Sequence, residues 1–499
     1  MPLLALLSQL RADPGQAPAQ DLGERTLRRS GQALVLGGSD RSELSLAWAL
    51  EDLPLGDPWF REQRSRLALE LSPESLLVEA DDRAWRDPVV VMRASTRLAA
   101  GDGHTQGLLG DAEEGLISPR LGADLHLGTP WLEAHGQVQA WVDLVGEQPV
   151  DIVMPVLEYG AGLRRGRHRL GFHQETRKLG PGRHGSLMLW DDSRPFPAGV
   201  GTLHPRTERL GELRIEAGAG WLQRPRQDVQ DPGVLWMDLR WAPLPYVEVG
   251  VSRVGLFGGE GRPLPSLGQL LLPTDPHVYD DPDKDEPDQD EIAAIDLRLL
   301  APLPPEAPLD YVEVYWQYGG DDMVMRSIGP IPTPALAGVA NLVGGEISAD
   351  AWVLGLEWAQ LQDDTFRWYE THRVYHQGFQ QDGRWLGHPN GGDQTTWWGH
   401  LGYAPQPLAL DLSFEHRTRV EVAEHVGQAV IALPTREERW TVGLRGSWLR
   451  DEGGWWAAGY ALSHIEGEDF LEGRGGFRHR AYVEMRGLPW VLYGNPAPF

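Results

Sequence analysis

Apolar and polar positions alternate with a period of two from one end of the chain to the other. From Val234 to Trp241 one face collects Leu235, Met237, Leu239 and Trp241, and the other Val234, Trp236, Asp238 and Arg240. Such alternation marks a strand whose two faces meet different surroundings. The same reading gathers Trp352, Leu354, Leu356 and Trp358 on one face. Further along, Leu408, Leu410, Leu412 and Phe414 stand against Asp411, Ser413 and Glu415, and a similar face joins Trp440, Val442 and Leu444. Roughly 16 to 20 segments of this kind are separated by Gly-rich turn clusters such as 258–261 and 450–454. Helical periodicity is confined to the first ten or so residues and to a small-residue stretch at 334–342, which Pro334 and Gly338 interrupt.

So many strands without crossover helices predict antiparallel pairing, and edges are then removed either by packing sheets into sandwiches or by closing a barrel. No sequence repeat of fixed period supports a propeller or solenoid. Tryptophan placement favours the barrel. Trp131, Trp141, Trp221, Trp241, Trp316, Trp397, Trp398, Trp455 and Trp456 fall near strand starts or finishes, where membrane barrels carry aromatic girdles. Stacking on sugars is the other use of such rings.

Composition removes several classes. The absence of cysteine excludes disulfides, thiolate metal sites, iron–sulfur clusters and a cysteine nucleophile. A net charge of −27 repels phosphate backbones, so no nucleic-acid partner is expected. No window approaches the roughly 18 apolar residues of a spanning helix, an absence that leaves a spanning barrel open.

Candidate chemistry is sparse. The acidic run Asp275–Glu291 lacks the Gly and Glu spacing of a calcium loop and reads as a solvated loop. Arg164, Arg165, Arg167, His168 and Arg169 could hold a carboxylate or phosphate, or could pair with acids across a barrel lumen, the favoured use. No metal-protease, serine-hydrolase or phosphate-loop motif occurs, so neither enzyme activity, nor a cofactor, nor a metal site is expected.

Three segments carry a resemblance. Arg177-Lys178-Leu179-Gly180-Pro181-Gly182, with Ser186-Leu187-Met188-Leu189 and Ser193-Arg194-Pro195-Phe196-Pro197, is similar to a signature of the Wzi-type capsule-assembly family of outer-membrane proteins. Val247–Arg253 running into Gly258-Gly259-Glu260-Gly261-Arg262 resembles a strand and turn of that family. So does the stretch from Tyr369-Glu370 through Tyr375, Gly378, Gly383-Arg384 and Leu386-Gly387-His388 to Gly391-Gly392-Asp393.

The resemblance implies an all-β fold, a large closed antiparallel transmembrane β-barrel of about 18 strands in the bacterial outer membrane. It also implies a lectin-like, non-catalytic role in holding capsular or other surface polysaccharide at the cell surface. Surface polysaccharide and outer-membrane lipid are the expected partners.

The family's helical plug is expected to be short or missing. Strand-like alternation already appears at Leu44–Trp48 and Leu67–Leu71; separately, Met1–Leu10 lacks the basic n-region expected of a secretory signal. The expected organisation is therefore residues 1–30 as a remnant of that plug, 31–488 as the barrel and 489–499 as a tail. Phe477 to Leu488 is the expected last strand, because Pro496 and Pro498 cannot donate to a ladder.

Loops 275–291 and 373–402 are expected to face outward and meet glycan, with Trp385, Trp397, Trp398, Arg164, Arg165 and Arg167 as candidate polysaccharide contacts. The alternatives are an outer-membrane porin or specific channel, and a secreted soluble carbohydrate-binding or carbohydrate-active β protein.

Overall fold

The alternating runs become strands, and their registers join into a ring. The computed structural model describes residues between 89 and 493, apart from short stretches and 272–288. Segment 1–30, the alternation at 44–48 and 67–71, Arg167 and most of the acidic run therefore lie outside the described residues. One sheet contains 21 hydrogen-bonded segments. Three of these continue a neighbour along the same partner: Asp151–Val153 with Val156–Arg165, Phe196–Leu203 with Arg206–Thr207, and Gly475–Arg486 with Trp490–Tyr493. Eighteen strands remain among the described residues, each antiparallel to both neighbours.

Closure is explicit in the first described strand, Val89–Gly101. Its Thr96 pairs with Leu121 on one side and with Met485 on the other. The closing ladder runs beyond Leu488, since Trp490 and Val491 pair with Met92 and Val91. A ring of this kind leaves no strand edge for a further chain to extend.

The two faces separate as the period-two pattern requires. Leu239 and Trp241 point outward and are exposed, whereas Asp238 and Arg240 point inward and are buried. Leu354, Leu356, Leu410, Leu412, Phe414, Val442 and Leu444 continue the outward apolar belt, and Glu357, Ser413 and Thr441 face the lumen. Adjacent tryptophans split between the faces for the same reason: Trp397 is 54% exposed and Trp398 only 3%. Inside, Arg240 is held by Asp238 at 3.0 Å, Glu248 at 2.9 Å and Asp296 at 2.9 Å. Such cross-strand charge pairing compensates the guanidinium for lost water.

Connections differ in length at the two ends. Residues 176–195, 222–232, 258–288 and 361–393 join strands at one end, and 129–131, 166–167, 350–351 and 404–407 join them at the other. Outer-membrane barrels keep short turns in the periplasm and long loops outside, so the first group marks the outer end. Two of these long loops do not stay outside. Leu179, Leu187 and Met188 from one, and Trp368, Tyr369, Tyr375, Phe379 and Leu386 from the other, form a buried apolar core with the wall residues Val234, Trp236, Ile292 and Leu342. The lumen is crossed by a plug built from the chain's own outer loops. Loop 373–402 is therefore corrected: Gln394–Tyr403 is a strand and the preceding residues are largely buried. Its apolar side chains gain more from packing in the lumen than from facing water.

Candidate functional site

The plug is pinned to the wall by carboxylates and amides that accept or donate to loop backbone. Glu357, inward on Trp352–Gln360, accepts the Arg183 N–H at 2.6 Å, the His184 N–H at 3.2 Å and the Tyr315 hydroxyl at 2.7 Å. A carboxylate taking two successive amides fixes a turn that has no ladder of its own. Gln317 works similarly, accepting the Leu187 N–H at 2.9 Å. Two glycines let the first loop fit. Gly180 has φ of 128°, and a side chain there would strike the Gln317 amide, while one at Gly182 would run into the carbonyl of Gly185.

The second loop locks onto the first. Tyr369 donates to the Leu187 carbonyl at 2.9 Å and accepts the His388 N–H at 2.8 Å, and Trp368 donates to the same carbonyl at 3.2 Å. Trp190 N–H reaches the Leu386 carbonyl at 2.7 Å. Tyr375 donates to the Gly258 carbonyl at 2.8 Å. The three segments that carry the family resemblance, far apart in sequence, thus meet in one place.

Both loops share one anchor on the strand Leu408–Val426. Glu415 receives His184 Nε2 at 2.7 Å and Asn390 Nδ2 at 3.2 Å. A third loop joins through Arg226, which donates to the carbonyls of Gln380 at 2.6 Å and Gly378 at 3.0 Å while forking onto Asp228 at 2.8 Å. Asp228 also accepts the Gln377 N–H at 2.9 Å. Burial pushes the Asp228 carboxyl up, but the Arg226 and Gln377 hydrogen bonds outweigh it and hold the group below the usual carboxylate range. The sequence gives no periodic or motif signal for this pair.

The candidate contacts do not gather in one spot. Trp385 sits partly exposed on the plug, 5.5 Å from the Tyr369 ring. Trp398 is covered by the stacked His184 ring at 5.0 Å, and Trp397 belongs to the outward belt beside Trp358. Arg164 is buried at the short-turn end of the lumen, and Arg165 lies outside it with its guanidinium 5.1 Å from the Trp131 ring. Arg169 pairs with Glu133 and Glu175, the lumenal use favoured for that basic run.

Among the described residues one group has metal-ligating composition: His135, His173 and Glu175 bring ligand atoms within 4.8 Å of one another. Arg169 already serves those atoms. It forks onto Glu175 at 3.0 and 3.1 Å and lies 2.9 Å from His173 Nδ1, so a guanidinium supplies the positive charge.

Residues 160–475 match the family model of the capsule assembly protein Wzi. The chain belongs to the Wzi capsule-assembly family. The solved Wzi of Escherichia coli, described as an outer-membrane protein involved in group 1 capsule assembly and as a carbohydrate-binding β-barrel, is similar with a TM-score of 0.66 and 17% identity. The likeness covers 98% of this chain and 100% of that one. OprD of Pseudomonas aeruginosa is similar with a TM-score of 0.50 and 8% identity, over 82% of this chain and 96% of that one. These likenesses concern the fold. No curated protein matches the chain in sequence. For this Wzi-family member, the closed ring and its outward apolar belt place the chain in the outer membrane.

Proposed function

We propose that this Wzi-family barrel binds capsular or other surface polysaccharide at its outer end and holds it at the cell surface without catalysis. The observation that carries the reading is the plug. Three segments distant in the chain converge into a buried core across the lumen, which makes a rigid floor beneath the outer mouth. A fixed floor suits retention of a polymer, because preorganised groups lose little freedom when the chain binds. Among the described residues this core fills part of the lumen, which weighs against the channel alternative. The carbohydrate-binding description of the Escherichia coli protein adds support of the same kind.

Among the described residues of the plug, Trp385 is a partly exposed aromatic ring, and sugar stacking on it fits the reading. Trp397 faces lipid as its partner, and Trp398 supports the plug from behind His184. The test is complementation of a deletion strain, with cell-attached and released polysaccharide measured separately. Restored attachment is expected from the intact chain; unchanged release despite normal outer-membrane levels would defeat the proposal.

A further inference from the structure

Two strands bring the same pair of side-chain types to one spot in the lumen, from opposite sides of a glycine. Leu132–Asp143 carries Glu133 and His135, and His168–Glu175 carries His173 and Glu175. A spacing of two turns both members of each pair to the inward face, where Glu133 and His173 are buried. Val156–Arg165 runs between the two strands, and its Gly160 is registered against His135 on one side and His173 on the other. A side chain at Gly160 or Gly171 would strike the His173 ring. The two imidazoles therefore lie nearly parallel over the glycine backbone, with centroids 5.6 Å apart and planes 10° apart.

The ring atoms are disposed to receive a cation. Arg169 Nη2 lies 2.9 Å from His173 Nδ1, and a guanidinium only donates, so Nδ1 holds a lone pair and the ring proton sits on Nε2. That Nε2 is buried and meets no hydrogen-bond partner; the Glu133 carboxylate is 3.9 Å away and is engaged by Arg169 Nε. Glu175 divides its two oxygens. Oε1 accepts from Arg177 at 2.9 Å, whereas Oε2 lies 3.8 Å from His135 Nε2 and 4.0 Å from His173 Nδ1. Two imidazole nitrogens and one carboxylate oxygen thus converge where the guanidinium rests. A tetrahedral zinc ion holds such atoms about 3.3 Å apart, so small side-chain rotations close the set.

We propose that His135 Nε2, His173 Nδ1 and Glu175 Oε2 form a binding site for a divalent first-row metal ion such as zinc, with Arg169 as a placeholder that withdraws when the metal enters. Imidazole nitrogens beside one carboxylate suit such an ion, whereas calcium and magnesium take oxygen ligands. Withdrawal of Arg169 releases Glu133 to close on the His173 Nε2–H, the carboxylate–histidine–metal arrangement that fixes a ligating ring. Arg177 stays on Oε1, so Glu175 keeps the partner that ties it to the root of the first plug loop. The site lies in the wall on the short-turn side of that loop and does not depend on the polysaccharide reading.

Calorimetric titration of zinc chloride into the full-length barrel in detergent tests this, with magnesium chloride as the comparison. Zinc is expected to bind the intact chain saturably and magnesium is not. His173→Ala should abolish the saturable binding, and Glu133→Gln should weaken it about 10–100-fold by removing the group that orients the ring. Arg169→Gln should strengthen it about tenfold or more, because the competing cation is gone. Zinc should also raise the temperature at which the intact barrel loses its heat-modifiable form, with no such rise in His173→Ala. His135→Gln repeats the ligand test if His173→Ala folds poorly. Absence of saturable zinc binding by the intact chain overturns the proposal. Undiminished binding in both histidine variants overturns it as well, by placing the ion on other residues. Binding seen only in Arg169→Gln also overturns it, since the guanidinium is then a permanent occupant.

Discussion

The Tyr369 hydroxyl lies 2.9 Å from the Leu187 carbonyl oxygen, although 182 positions separate the two residues. This contact ties together the two loops that close the lumen, and Tyr369 occupies it with φ of 75°, a conformation that costs a bulky residue about 1–3 kcal/mol. Removing the hydroxyl in Tyr369→Phe leaves the Leu187 carbonyl and the His388 amide with one partner fewer. The plug should lose about 1–3 kcal/mol of local stability. Hydrogen exchange of 176–195 and 361–393 should accelerate while strand amides stay protected; uniform exchange across the barrel would place the contact in global folding instead.

Glu357 supplies the wall side of the same closure. In planar bilayers the intact barrel should be nearly silent. Glu357→Ala, which releases the Arg183 and His184 amides and the Tyr315 hydroxyl, should show intermittent openings. Steady conductance by the unaltered chain would contradict a plugged lumen.

Acid should act at the third loop. Asp228 titrates below its ordinary value in the folded chain, so its contribution to stability is present above the unfolded carboxyl value of about 3.9 and is lost as pH falls through the lower, folded value. Amide exchange over 374–381 should remain slow from pH 7 to about 5 and rise in stronger acid. Asp228→Asn should make that region exchange faster at neutral pH and flatten the acid response. An acid response preserved in the variant would assign it to another group.

The belt makes a prediction about membrane folding. Leu412 is outward and exposed among Leu410, Phe414, Val442 and Leu444. Leu412→Arg should cost about 2–4 kcal/mol if the position lies near the bilayer midplane, and should lower the heat-modifiable fraction in outer membranes. Wild-type folding of that variant would show that this face does not meet lipid.

Much of the wall is legible in the sequence. The division of Val234–Trp241 into Leu239 and Trp241 outward and Asp238 and Arg240 inward follows from strand geometry alone, since successive side chains point to opposite faces. Glycines at 180 and 182 are likewise readable as turn positions, and both serve close approach or positive φ. The plug is not readable in this way. Tyr375, Phe379 and Leu386 look the same in sequence whether they cover a ligand or fill a lumen, and only long-range contacts such as Tyr375 to Gly258 separate the two. The tryptophan pairs show the same limit. Period two says that Trp397 and Trp398 part company, but it takes the register against Trp358 and Glu415 to say which one meets the plug.

Binding of purified capsular polysaccharide from the same bacterium to the full-length barrel in detergent tests the central claim most directly. It should be measured for the intact chain and for Gly182→Ala, in which the new side chain cannot coexist with the Gly185 carbonyl. The account predicts saturable binding by the intact protein and binding weaker by about tenfold or more in a variant that is still heat-modifiable, because the floor of the site is displaced. Absence of saturable binding by the intact chain, or unchanged binding once the plug is shown to be disturbed, would contradict it.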